Sequence, residues 1–222
     1  MKCLIQIISL VFLLMILFGS CTPVGLVKPL EKKQKALTAS LGGPLIRFND
    51  LPIPMPLSSL GFSYGLHSRV TAMSNLGLTS LAFGVGQLDL GVLYGIKKTE
   101  GPGTLGISAI CKTHLMFDKW EKNFRWYPEV GFQAYTEWNK NLLYAGGSSW
   151  IETRYPYPER TAGNFFLPMI HAGYVRQNSR WNLSMELKWI APTISNKKIV
   201  VDYISFSGSG ALGLYFGVVR KF

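Results

Sequence analysis

The chain has 222 residues, of which 48% are hydrophobic and only 16% are charged. These values exclude a disordered tail, a coiled coil and a collagen-like repeat, and they fit one domain of ordinary size. Lysine and arginine outnumber the acidic residues, which gives a net charge of +11, but no block of five like charges occurs. The positive charge is spread along the chain, so we expect no nucleic-acid partner.

The first 20 residues have the layout of a secretory signal peptide. Lys2 precedes an apolar run from Cys3 to Phe18, and the small residues Gly19 and Ser20 follow it. The run has about 16 residues, fewer than the roughly 17 to 25 of a transmembrane helix, so cleavage is favoured over a retained anchor. We therefore assign residues 1–20 to a signal peptide.

A cysteine follows this segment directly. The sequence Leu17-Phe18-Gly19-Ser20-Cys21 resembles a bacterial lipobox, and this resemblance implies that Cys21 becomes the lipid-modified first residue of the mature chain. The alternative is that Cys21 is an ordinary residue of a signal that is cleaved elsewhere. Residues 21–36 are rich in proline and lysine, and we predict that they form a lipid-anchored polar tether ahead of a domain at 37–222. Because Cys111 has no partner once Cys3 has left, a disulfide framework is excluded.

The body of the chain shows an alternation of apolar and polar residues with a period of two, which predicts β-strands with two different faces. The clearest example runs from Trp181 to Trp189, where every odd position is apolar and every even position is polar. Residues 87–97 follow the same pattern with Leu93 as the single exception. We find no long segment with the 3.6-residue period of an amphipathic helix, so the sequence predicts an all-β protein.

The size and polarity of the side chains on the two faces distinguish a membrane barrel from a soluble sandwich or a lipocalin-like barrel. The bulky side chains lie on the apolar face, whereas glycine, serine and charged residues share the other face. A small membrane barrel needs small and polar side chains in its crowded lumen. The interval between Trp181 and Trp189 is roughly 26 Å along a strand and about 20 Å at a tilt near 40°, which matches the spacing of two aromatic girdles. The predicted girdle residues are Tyr94, Trp138, Tyr174, Trp181, Trp189 and Phe222.

The strands and their connections predict an antiparallel up-and-down transmembrane β-barrel of about ten strands, with eight or twelve as alternatives. Short turns alternate with longer loops, as in outer-membrane barrels. A turn at 73–75 and a short outer break at 84–86 bound the predicted third strand. Pro52, Pro54 and Pro56 predict an extended, unpaired first outer loop. The predicted strands are 35–47, 59–71, 76–85, 87–97, 104–116, 127–138, 141–152, 164–177, 180–191 and 208–222, and residues 199–206 are also strand-like.

The chain ends on Phe222, with Leu212, Leu214, Phe216 and Val218 on the same parity. This pattern resembles the carboxyl-terminal signal by which bacterial outer-membrane barrels are recognised. The resemblance covers residues 37–222 and implies that the protein is located in the bacterial outer membrane. It also implies contact with outer-membrane lipid and lipopolysaccharide, and recognition of the last strand by the barrel assembly machinery. A periplasm-facing lipoprotein is the alternative location.

Charged residues of both signs fall on the predicted luminal face, and we expect them to pair with one another because an unpaired charge there is costly. A catalytic set is the alternative, but Ser108 and His114 are about 20 Å apart along one strand, which is too far for a hydrogen bond. No histidine has metal-ligand spacing, so we predict no metal and no cofactor. The predicted luminal charge network is His67, Arg69, Asp89, Lys97, Lys112, His114, Glu129, Glu137, Glu186 and Lys188.

The predicted outer loops mix aromatic side chains with both signs of charge, as in residues 118–125 and 154–160. They are either plain solvated loops or a contact surface for lipopolysaccharide or a partner. Three functions remain open from the sequence. The favoured one is a non-enzymatic barrel with a structural, narrow-pore or surface-contact role. The others are a lipid-anchored soluble barrel that binds an apolar ligand and a lipid-modifying membrane enzyme.

Overall fold

The computed structural model describes residues 25–153, 165–196 and 201–222. It contains eleven β-strands and one short helix, α1. The strands are β1 (Lys35–Phe48), β2 (Leu51–Pro54), β3 (Ser58–His67), β4 (Val70–Gly77), β5 (Val85–Lys97), β6 (Leu105–Asp118), β7 (Asn123–Trp138), β8 (Asn141–Ile151), β9 (Phe166–Gln177), β10 (Trp181–Ser195) and β11 (Ser209–Lys221), and α1 spans Leu78–Ala82.

Ten of these strands form a closed barrel. Each strand from β3 to β11 pairs antiparallel with the next, and β1 pairs with both β3 and β11. The predicted all-β, antiparallel ten-stranded barrel is therefore confirmed. We call the end at which β1 begins and β11 ends the terminal end, and the opposite end the loop end.

The apolar face of the wall points outward. Leu183, Met185 and Leu187 of β10 are 56%, 49% and 48% exposed, whereas Asn182, Glu186 and Lys188 between them are buried. The same alternation holds in β5, where Leu88, Leu90 and Val92 are exposed. Small and polar side chains fill the interior, as the sequence predicted.

The third barrel strand differs from its prediction. The turn lies at residues 68–69, so β4 begins at Val70, and α1 then connects it to β5 at the loop end. In β4 the buried residues are Thr71 and Gly77, while Ala72 and Ser74 lie on the opposite face. Because neither face of β4 is markedly more apolar than the other, its sequence gave no clear alternation.

The first outer loop also differs from its prediction. Residues 51–54 form β2, which pairs with the outer part of β1 through Leu45–Pro54 and Arg47–Pro52. The prolines are tolerated because β2 is an edge strand, where a missing N–H donor does not interrupt a ladder. Among residues 201–206, by contrast, only isolated bridges occur, so no further barrel strand forms there.

The amino-terminal segment is the largest departure from the sequence prediction. Residues 25–30, expected as part of a polar tether, lie inside the barrel, and residues 31–33 are exposed at its terminal end. β1 begins at Lys35, where the sequence predicted the first strand to begin. Leu26, Val27 and Leu30 are only 7%, 6% and 3% exposed. They leave water by packing against the wall, which a solvated tether would not do. We call residues 25–34 the luminal segment.

Candidate functional site in the barrel lumen

The luminal segment is held by wall side chains that hydrogen-bond to its backbone. The Ser108 hydroxyl donates to the Val27 carbonyl at 2.7 Å, and the Gln133 amide donates to the same oxygen at 2.9 Å. The Leu30 N–H donates to Thr71 Oγ1 at 2.8 Å. Buried backbone groups need such partners, and side chains here supply them without any ladder. The segment is therefore attached to the wall but is not a strand of it.

Apolar contacts surround the segment at the terminal end of the lumen. Leu26 and Leu30 pack with Ala36, Leu93 and Val219. Leu93 is the residue that broke the alternation of β5, and it is fully buried against the luminal segment. Val27 packs into a second cluster with Tyr135, Leu142, Tyr144 and Val175. Two apolar clusters thus join the luminal segment to the wall in the terminal half of the lumen.

One ion pair joins the luminal segment to the wall. Lys28 Nζ lies 2.5 Å from Glu137 Oε2, with the two side chains 35% and 20% exposed. Glu137 also accepts hydrogen bonds from Thr99 and Gln177. Because the pair is partly solvated, it orients the segment more than it stabilises it.

The loop half of the lumen has a different filling, centred on a buried histidine. His114 is fully buried, its Nδ1 lies 2.8 Å from Asp89 Oδ1, and its Nε2 lies 2.8 Å from Glu129 Oε2. A neutral imidazole can donate from only one nitrogen, so the imidazolium form satisfies both carboxylates. The ring also stacks on Trp150 with centroids 4.4 Å apart. The three polar residues therefore form a charge cluster across β5, β6 and β7.

A second charge cluster lies on β8, β10 and β11. The Tyr144 hydroxyl donates to Glu186 Oε2 at 2.6 Å, and Lys188 Nζ lies 2.9 Å from Glu186 Oε1. Lys188 Nζ is also 4.9 Å from the centre of the Tyr215 ring. The two opposite charges of β10 thus pair with each other, and tyrosines of β8 and β11 complete their contacts, as buried charges require.

The predicted luminal network is only partly brought together. Asp89, His114, Glu129, Glu186 and Lys188 are buried in the two clusters, and Lys112 lies opposite Glu129 in the β6–β7 register. Glu137 instead binds the luminal segment. His67, Arg69 and Lys97 do not join the network: they are exposed at the terminal end of the barrel, where β3 turns into β4 and β5 ends.

The predicted girdle residues all belong to the outward parity of their strands. Tyr94, Trp181 and Phe222 are 45%, 46% and 59% exposed near the terminal end. Arg220 is exposed beside them and stacks its guanidinium on the Trp181 and Phe222 rings. Trp138, Tyr174 and Trp189 are half-buried; the Trp189 ring packs edge-on against Phe206.

Several interior residues were missed by sequence reasoning. Tyr144 and Trp150 contribute to the clusters, yet no pattern in the sequence singled them out. The alternation of β7 did predict that Gln133, which holds the luminal segment, lies on the luminal face. Tyr215 does fall on the small and polar parity of β11, which was a usable signal. The polar residues Gln87 and Asn75 contact Asp89 at 3.4 Å and extend the histidine cluster toward the loop end.

The free space of the lumen is divided among small cavities. The largest, about 200 Å³, lies beside the luminal segment toward the terminal end. Others of about 40, 30 and 20 Å³ lie near Asp89, between Glu129 and Glu186, and beside Gln87. The three smaller ones admit a few waters at most, since one water needs roughly 10 to 15 Å³ of such volume. In this conformation the lumen is packed along most of its length.

Two kinds of feature are absent from the described residues. These residues contain no group of three or more histidine, cysteine, aspartate or glutamate side chains arranged to hold a metal ion. They also contain no helix that is long and apolar enough to cross a bilayer.

Comparison with known structures shows the fold. An outer-membrane channel from Pseudomonas putida F1 is similar with a TM-score of 0.52 at 10% identity, over 91% of this chain and 100% of the channel. The translocator domain of the autotransporter NalP from Neisseria meningitidis has a TM-score of 0.49 at 10% identity, over 88% and 91%. The NanC porin has a TM-score of 0.42 at 7% identity, over 85% and 100%. No protein-family model matches the chain, and no curated protein is similar to it at a significant level. The chain therefore has the barrel fold of bacterial outer-membrane proteins.

Proposed function

We propose that the protein is a non-enzymatic outer-membrane barrel that works as a narrow pore, and that its own luminal segment closes the pore. One observation carries this proposal: residues 25–30 of the luminal segment lie in the terminal half of the lumen and are attached to the wall through side-chain contacts, whereas backbone pairing with Gly65 is confined to Lys33 and Gln34. Residues 25–30 can therefore leave the wall while the barrel stays closed on itself. Their departure enlarges the free space of the terminal half.

The outward face supports the membrane location. Apolar side chains such as Leu183, Met185 and Phe132 are half-exposed or more around the wall. A soluble protein rarely exposes so much continuous apolar surface, whereas a barrel in lipid requires it. The same face argues against the soluble barrel, because an apolar ligand inside would need the apolar faces to point inward.

The luminal charges support a non-enzymatic role. A catalytic histidine has to reach a substrate, but His114 is fully buried and both of its ring nitrogens face carboxylates. Ser108, the hydroxyl considered on the same strand, donates to the luminal segment instead. Both groups thus have structural partners that occupy the atoms a reaction would need.

Conductance across a planar bilayer tests the pore and its closure. The wild-type barrel should conduct rarely, and the variant Leu26→Ser with Leu30→Ser should conduct far more often because its luminal segment loses its apolar contacts. The matched control Lys32→Ser with Lys35→Ser changes exposed residues of the same region and should behave like the wild type. A barrel that inserts but never conducts with either variant would contradict the pore.

The lipid anchor and the location are checked on the native protein. Lipid modification at Cys21, which lies outside the described residues, should appear as a diacylglyceryl mass on the first residue of the mature chain. An unmodified amino terminus would contradict that part of the proposal. Retention in urea-extracted outer membranes with a heat-dependent gel shift would support the integral barrel, whereas release without a shift would favour the soluble lipoprotein.

Exposed side chains at the two ends of the barrel indicate its binding partners. Phe222 is 59% exposed beside an outward row on β11, so we propose that the assembly machinery binds this strand, and Phe222→Ala should slow assembly. At the loop end, Trp120 is 72% exposed and Lys119 lies over its ring, which suits contact with lipopolysaccharide. The other predicted contact loop, 154–160, lies outside the described residues.

A further inference from the structure

The positive charge that is spread along the sequence is collected at the terminal end of the folded barrel. This end has ten exposed lysine and arginine side chains but only two exposed acidic ones, Glu31 and Glu100. The turns and the end of β5 carry Arg69, Lys97, Lys98, Lys140 and Arg180. The two chain ends and β9 carry Lys32, Lys33, Lys35, Arg176 and Arg220.

The loop end has no such excess among the described residues. Its four basic side chains are Arg47, Lys119, Lys122 and Arg125. They face five acidic ones, Asp50, Asp118, Glu121, Glu152 and Asp202. At the terminal end, by contrast, none of the ten exposed cations lies within ion-pair distance of a described acidic side chain. Their charge is therefore available to an anionic partner from outside the chain.

Half of these ten cations lie next to one another around the wall. They belong to the terminal ends of β8, β9, β10, β11 and β1, which are neighbours in the barrel. Glu31 contacts Gly65 of β3 and Glu100 lies in the turn after β5, so neither acid interrupts this stretch. We call the five residues the basic arc: Lys140, Arg176, Arg180, Arg220 and Lys35.

The basic arc lies at the level of the aromatic girdle and faces outward. Arg176 and Arg220 are on the outward parity of β9 and β11. The Arg220 guanidinium is 5.3 Å from the centre of the Trp181 ring and 4.8 Å from that of the Phe222 ring. A guanidinium contacts a ring through its flat face, so the N–H groups in its plane remain available. Basic side chains in this position cover apolar surface with their stems and place their charges among lipid headgroups.

From the charge distribution and the girdle contacts we infer that the basic arc binds the phosphate headgroups of anionic phospholipids. Guanidinium groups fit phosphate oxygens through paired hydrogen bonds, and three of the five residues are arginines. The inference rests on the proposed function, which puts lipopolysaccharide at the loop end and so leaves the phospholipid leaflet at the terminal end. Each lysine or arginine near an anionic lipid surface strengthens binding about fivefold.

Native mass spectrometry of the folded, full-length protein in neutral detergent tests the site. The probes are phosphatidylglycerol, which is anionic, and phosphatidylcholine with the same acyl chains, which is zwitterionic. We expect the wild type to bind phosphatidylglycerol at least tenfold more tightly than phosphatidylcholine. Arg176→Gln with Arg180→Gln and Arg220→Gln should weaken phosphatidylglycerol binding at least tenfold and leave phosphatidylcholine binding unchanged.

Two further variants separate the basic arc from net charge. Arg47→Gln with Lys119→Gln and Lys122→Gln removes the same charge from the loop end and should bind phosphatidylglycerol like the wild type. Lysine at positions 176, 180 and 220 keeps the charge but loses the paired hydrogen bonds, so its affinity should lie between those of the wild type and the glutamine variant. A heat-dependent gel shift confirms that each variant is folded.

Other results overturn the inference. Equal binding of the two lipids by the wild type, or an equal loss in the loop-end variant, contradicts a lipid site on the basic arc. Binding of poly-L-glutamate that phosphatidylglycerol does not displace means that this end binds an acidic polypeptide instead. Conductance separates the two proposals: a barrel that conducts without lipid preference keeps the pore and loses the site. A barrel that prefers phosphatidylglycerol but never conducts keeps the site and loses the pore.

Discussion

The two halves of the lumen are filled in different ways. In the loop half, the wall strands fill the interior with their own side chains, whose charges pair across β5, β6 and β7 and within β10, where Tyr144 of β8 also donates to Glu186. In the terminal half, a separate piece of chain packs against apolar side chains of the wall and hydrogen-bonds to its polar ones. The first filling cannot be removed without unfolding the barrel, because each charge is attached to a strand. Residues 25–30 of the second can leave, because their backbone makes no backbone hydrogen bond to the wall.

Replacing the histidine of the loop half should have the largest effect on stability. His114→Phe leaves Asp89 and Glu129 buried without their shared partner. Breaking a buried ion pair by removing one partner costs about 3–5 kcal/mol. Urea unfolding in detergent, followed by the heat-dependent gel shift, measures the change. His67→Phe is the matched control, since His67 is exposed at the terminal end, and it should be close to neutral. Equal stability of the two variants would contradict a structural role for the cluster.

A charge on the outer face should have the next largest effect. Met185 is 49% exposed in the middle of the outward row of β10. An arginine at the bilayer midplane costs about 2–4 kcal/mol, so Met185→Arg should reduce assembly into membranes. Asn178→Arg, in an exposed turn at the terminal end, adds the same charge outside the apolar band and should assemble normally. Normal assembly of Met185→Arg would count against the membrane location.

A charge in the luminal segment should change conductance more than stability. Leu30 is 3% exposed, and burial of a leucine is worth about 1.5–3 kcal/mol, which Leu30→Asp would lose. We expect the segment to leave the lumen, the current to rise, and the unfolding midpoint to fall less than in His114→Phe. Lys32→Asp, at an exposed position of the same segment, provides the control. If Leu30→Asp unfolded the barrel as thoroughly as His114→Phe, the two halves would not differ as described.

The ion pair of the luminal segment should have the smallest effect. Lys28 is 35% exposed in its contact with Glu137, and partly solvated pairs contribute at most about 1 kcal/mol. Lys28→Gln should therefore change the ratio of open to closed time by no more than about fivefold. The difference from wild type should shrink at high salt, because mobile ions screen such a pair. A much larger change, or one that does not depend on salt, would show that Lys28 does more than pair with Glu137.

The strands of the barrel wall could be predicted from the sequence because the alternation that defines each strand lies within its own residues. The alternation from Trp181 to Trp189 determines which side chains face lipid, and it needs no knowledge of the neighbouring strands. Where the alternation is weak, as in β4, the predicted boundary was wrong by several residues. The edge strand β2 was missed because its prolines indicate a loop, although pairing on one side tolerates them.

The interior could be predicted only in part because its contacts join distant residues. His114 and Asp89 were placed on the luminal face, but their contact depends on the register between β5 and β6. The luminal segment was missed because residues 25–34 contain prolines and lysines, which resemble a tether. Leu93 carried the one local sign of it: a bulky apolar side chain on the luminal face needs an apolar partner inside the barrel.

A reversible bond between the luminal segment and the wall tests the closure of the pore most directly. The backbone N–H of Leu30 donates to Thr71 Oγ1 at 2.8 Å, so Leu30→Cys with Thr71→Cys, in a Cys111→Ser background, puts thiols on two residues that are in direct contact. The account predicts that the oxidised protein, with its disulfide verified by mass, stays closed in a planar bilayer, and that a reductant restores channel openings. The same conductance before and after reduction would contradict the claim that the luminal segment closes this barrel.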